Sequence, residues 1–102
     1  MAITNQVLTT TPTAIYTSSG SSVVSLLYFC NTSGSSKTVN LYLVPNGGSA
    51  TNSTIVYNAY PITSSDTLVV SSEKIILASG DAIYANANAA TSITATLGYL
   101  AL

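Results

Sequence analysis

Apolar positions along the chain fall in short runs, and turn-forming clusters separate the runs at intervals of about ten to fifteen residues. The clusters are TSSGSS (17–22), NTSGSS (31–36), PNGGSATNS (45–53), PITSSD (61–66), ASGD (78–81) and NANAAT (86–91). No stretch carries a long helical period. Residues 3–9 read as a loose first strand or arm, and 13–17 as a short strand after Pro12. VVSLLYFCN (23–31) reads as a strong strand. KTVNLYLVP (37–45) alternates, with Val39, Leu41 and Leu43 on one face and Thr38, Asn40 and Tyr42 on the other. STIVYNAYPI (53–62) reads as a strand that Pro61 marks as an edge. TLVVSS (67–72) and KIILA (74–78) flank a tight SSEK corner, AIYANA (82–87) follows Gly80-Asp81, and SITATLGYLAL (92–102) closes the chain. Together these give roughly seven to nine short strands, the pattern of an all-β sandwich or barrel. The division expected is an N-terminal arm or first strand over 1–12, then one β domain over 13–102.

Strict alternation in 23–30 sets Val23, Leu27 and Phe29 on one face and Val24, Leu26, Tyr28 and Cys30 on the other. Both faces are apolar, whereas a half-exposed strand alternates with polar residues. Either the strand is covered on both sides within the chain, or its outer face is buried by another subunit. A chain of 102 residues has little material for a second cover, which favours a subunit interface.

Composition sharpens this picture. Charged residues make up 5% of the chain, against roughly 25% in an average soluble domain. Ser (16), Thr (15) and Asn (8) fill the gap, and these residues compete with helical hydrogen bonding. Two cations, Lys37 and Lys74, are too few for a nucleic-acid surface or a basic membrane face. No apolar run reaches the ~20 residues of a membrane helix. The first residues lack the basic start and apolar stretch of a signal peptide, so synthesis in a cytosol is expected. Cys30, alone and in an apolar run, reads as a buried structural thiol. The Asn31 and Asn52 sequons are chance matches in a chain rich in Ser and Thr.

Seven tyrosines, one Phe and no Trp make Tyr the main aromatic. Tyr suits interfaces because it buries area and keeps a hydroxyl, and it is also a good strand residue. Tyr16, Tyr28, Tyr42, Tyr57, Tyr60 and Tyr84 are candidate interface residues, with Ile3, Val7 and Leu8 of the uncharged N-terminal segment.

Three near-motifs for chemistry fail on context. NTSGSSKT (31–38) ends like a phosphate-binding loop but is followed by a strand instead of a helix, and reads as a hairpin turn. SSEK (71–74) matches a serine–lysine pair only if helical. Without His, and with one Cys, metal or acid–base chemistry would fall to Asp66, Glu73 and Asp81, each in a turn. Asp66 and Asp81 read instead as turn residues that bond backbone amides. No catalytic residue, metal or cofactor is expected. A carbohydrate groove of Tyr and Asn stays open, since such sites leave almost no motif.

The order "TTTPTAIYTSSGSSVVSLLYFCNTSGSSKTVNLYLVP", then "YPITSSDTLVV", then "KIILASGDAIYANANAATSITATLGYL" resembles a family of small all-β virion proteins of tailed bacteriophages, cyanophage-like in character. The turns Asn31 to Gly34 and Gly80-Asp81 carry most of the likeness, and Asp66 lies in a third turn. The resemblance implies an antiparallel β-sandwich of jelly-roll type that works by assembly in the virion, after synthesis in the host bacterial cytoplasm. It implies a capsid decoration or cement protein, a homotrimer on the major capsid protein or another virion protein. Its other reading is a tail, baseplate or fibre component, with or without a glycan receptor.

Overall fold

The computed structural model describes residues 2–70 and 75–102, and every regular element among them is a strand. The strands are β1 (Ala2–Val7), β2 (Thr13–Thr17), β3 (Ser22–Asn31), β4 (Lys37–Val44), β5 (Ile55–Ile62), β6 (Thr67–Val69), β7 (Ile75–Leu77), β8 (Ala82–Ala87) and β9 (Ile93–Ala101). They form two antiparallel sheets. One has the order β1-β9-β3-β6, with β7 also on β3, and the other has the order β2-β8-β4-β5. The SSEK corner lies outside the described residues. On either side of it, β6 pairs with the end of β3 and β7 with its start, so both belong to one sheet margin.

One core joins the sheets. Val24, Leu27, Phe29, Ile93, Ala95 and Leu97 face Val39, Leu41, Ile83, Ala85 and Ala87 across it. The smallest dimension of the molecule is 21 Å, the thickness of two sheets about 10 Å apart with their outer side chains. The alternation expected in β4 holds: Val39 and Leu41 are buried in this core and Leu43 packs against it.

The alternation expected in β3 does not hold along its whole length. The register with β9 shifts between Val24 and Leu26, so a bulge near Ser25 inverts the faces. Val24 turns inward with Leu27 and Phe29, and Val23 turns outward with Leu26, Tyr28 and Cys30. A second correction concerns residues 31–36. Because β3 and β4 belong to different sheets, this stretch is a crossing between sheets and not a hairpin turn.

The N-terminal segment is a strand. β1 pairs with β9 without a register shift from Ala2↔Tyr99 to Val7↔Thr94. Leu8, a candidate contact residue on sequence, is fully buried in the chain's own core, because the strand dips between the sheets after Val7. β5, with Pro61, is the edge of its sheet, as expected.

A candidate association surface

The register places four cross-strand rows on the outer face of the β1-β9-β3-β6/β7 sheet. They are Ile76–Val23–Leu100, Leu26–Gly98–Ile3, Val69–Tyr28–Thr96–Asn5 and Thr67–Cys30–Thr94–Val7. None of these residues is charged. Of the eight large hydrophobic residues left exposed among those described, five lie here: Ile3, Val7, Val69, Ile76 and Leu100. Ile76 is 72% exposed and Ile3 68%, values at the opposite extreme from the residues of the inner face. With strands about 4.8 Å apart and rows about 6.8 Å apart, the face spans on the order of 500 Å². Thr67, Thr94, Thr96 and Asn5 interrupt it, so its apolar part is smaller, on the order of 300 Å², within the range of the largest apolar patch on an ordinary monomer.

The expected interface residues divide. Ile3, Val7 and Tyr28 share this face. Tyr16 instead packs within the molecule, its ring centre 4.4 Å from that of Tyr99 and its hydroxyl donating to Ser22 Oγ at 3.1 Å. Tyr42 and Tyr84 are neighbours on the outer face of the other sheet, where Tyr42 is buried. Tyr57 and Tyr60 pair at the β5 edge, with ring centres 5.4 Å apart. Sequence reading missed Val23, Val69, Ile76 and Leu100 as members of the face. The bulge hid Val23, and the direction of residues in three-residue strands follows from pairing alone.

The outer face of the second sheet brings Asn40, Asn86, Tyr42 and Tyr84 together, the residue types of a sugar groove. Its amides already serve the fold. Asn40 Nδ2 donates to Asn86 Oδ1 at 3.1 Å, and Asn40 Oδ1 accepts from the Ala59 amide at 2.7 Å. Asn86 Nδ2 donates to the Thr10 carbonyl at 3.1 Å.

The turn residues hold the two ends of the fold. Asn31 is fully buried at the end of β3. Its Nδ2 donates to the carbonyls of Ser35 and Ile62, and its Oδ1 accepts from the Ser33 amide and hydroxyl. Gly34 meets nothing that a side chain would strike. Asp66 Oδ1 accepts from the Thr67 amide at 2.8 Å. At the start of β3, Asp81 accepts from Asn46 N at 2.9 Å and Ala78 N at 3.0 Å, which ties two turns together. Asp66 and Asp81 therefore sit at opposite ends of β3, each engaged with backbone amides. A cleft of about 230 Å³ is lined by Leu43, Val44, Pro45, Ile75, Ile76, Leu77 and Asp81. Among the described residues no helix is long and apolar enough to cross a membrane.

Set against protein-family models, curated proteins and solved structures, the chain has no match.

Proposed function

We propose that the chain is a structural subunit of a tailed-phage virion, a capsid decoration protein that acts through protein contacts alone. The observation that carries this reading is the uncharged apolar face of the β1-β9-β3-β6/β7 sheet. A surface of this kind gains from contact with another apolar surface and offers little to a charged ligand. The strand order supports the jelly-roll form of a β-sandwich. Both sheets take strands from all along the chain, and the chain crosses from one sheet to the other at every connection except those joining β4 to β5 and β6 to β7. Neutral hydroxyls and amides elsewhere on the surface suit a protein held among neighbours, where charges would have to be desolvated. The resemblance in the turns supplies the virion context and the homotrimer.

Quantitative mass spectrometry and imaging of purified particles test the proposal. Hundreds of copies on the head shell are the expected result. A few dozen or fewer at the tail would replace it with a fibre or baseplate role, and a glycan screen would then follow. Absence from particles would overturn both.

A further inference from the structure

We propose that β1 is a self-pairing edge: two copies of the chain join antiparallel through β1 about a two-fold axis at Asn5. The argument begins with the backbone. The Leu8 amide donates to the Ile93 carbonyl of β9 at 2.8 Å. Leu8 follows β1 without a break in register, so the alternation of an antiparallel ladder sets every second residue against β9. Thr4 and Gln6 then bond inward. Ile3, Asn5 and Val7 turn their N–H and C=O groups out to the free edge.

The side chains make that edge self-complementary. Ile3, Asn5 and Val7 all point to the outer face, opposite Gly98, Thr96 and Thr94. A two-fold axis perpendicular to the sheet keeps the two outer faces on one side. Centred on Asn5, it pairs Asn5 with its own copy and sets Ile3 against Val7 twice. Three residue pairs then exchange roughly six backbone hydrogen bonds. The Asn5 side chain leaves the edge clear, since its Nδ2 donates back to Thr96 Oγ1 at 2.8 Å.

The other sheet margins are blunted. β5 carries Pro61, two register shifts and Ala59 at φ 52°. β2 has a register shift within five residues, and the margin formed by β6 and β7 is made of three-residue strands. β1 has no Pro, no charge and no register shift, the features by which proteins protect an exposed edge. A two-fold contact consumes both β1 edges and closes at two copies, so it does not grow into a fibre. It also merges two apolar faces into one surface twice as wide. Where trimers form through another surface, the same contact would pair one trimer with a second.

The test is independent of virion location. The molar mass of the purified chain is followed over a concentration series, beside Asn5→Lys, Asn5→Asp and an equimolar mixture of the two. The wild type is expected to pass from one to two copies, or from one assembly to its double. Each variant alone places like charges opposite each other and weakens this step by about two- to fivefold. The mixture restores it. In a parallel measurement on the wild type, amide exchange at Ile3, Asn5 and Val7 is expected to slow as concentration rises. A wild type of constant mass, a doubling indifferent to both substitutions, or concentration-independent exchange at these three amides would overturn the proposal.

Discussion

Asn31 does the work of several residues. A buried Asn has two donors and one well-placed acceptor, and here all are engaged, with the crossing at 33–35 and with the end of β5. Asn31→Ala removes four bonds and takes a donor from the buried Ile62 carbonyl, so a loss of about 2–3 kcal/mol is expected in urea unfolding. Gly80 is held by a different constraint. Its φ is +86°, and a Cβ there would lie 2.5 Å from Asn46 Cγ and Oδ1. Gly80→Ala therefore combines left-handed strain with a clash, and a loss of about 2–3 kcal/mol is expected. Asn46→Gly removes the clash and not the strain. The double variant should recover part of the loss, and a thermodynamic cycle of unfolding free energies would detect that coupling. Strictly additive losses would show that Asn46 is not what confines Gly80. Both turns stand out in the sequence. Their grip does not, because it depends on Ile62 and Asn46, which are distant in the chain.

Along β3 two neighbouring leucines have opposite surroundings. Leu27 is fully buried between the sheets, while Leu26 lies half-buried on the outer face. Leu27→Ala should destabilise the fold by about 2–5 kcal/mol. Leu26→Ser should cost far less in unfolding and instead reduce association and the binding of an apolar dye. If the two substitutions cost the same in unfolding, the outer face is already covered within the chain. The sequence shows β3 to be apolar on both sides, and the choice of a subunit interface rests on that pattern. It cannot show which residues form the face. One extra residue at Ser25 exchanges the roles of Val23 and Val24, and a single-residue shift leaves no mark on composition.

None of the described charges, Lys37, Asp66 and Asp81, belongs to the four rows; Asp66 next to Thr67 and Asp81 in the cleft beside Ile76 are each engaged with backbone amides at turns. Association through that face, and through the β1 edge, should therefore be nearly independent of salt. Raising NaCl from about 0.1 to 1 M shortens the screening length from ~10 to ~3 Å and would dissolve an ion-paired interface. Sedimentation at the two salt concentrations is expected to give the same or slightly stronger self-association. Marked weakening would mean that ion pairs hold the copies together. The two β1 edges and the two apolar faces act together in this respect, since pairing the edges aligns the faces.

Punctuation by turns, abundant Ser and Thr, and the alternation of β4 were enough to define an all-β chain and to place most of its strands, because these are local properties of the backbone and of side-chain period. The proposed virion role rests on the same local patterns. Three further matters arise from contacts between distant residues. Leu8 enters the core because β1 pairs with β9, at the far end of the chain. The Tyr residues separate among the core, two sheet faces and an edge because pairing, and not residue type, sets their direction. Five exposed hydrophobic residues from β1, β9, β6 and β7 form one face because β9 and β3 lie between β1 and the margin of β6 and β7. Register is a relation between strands, and a single strand's sequence does not contain it.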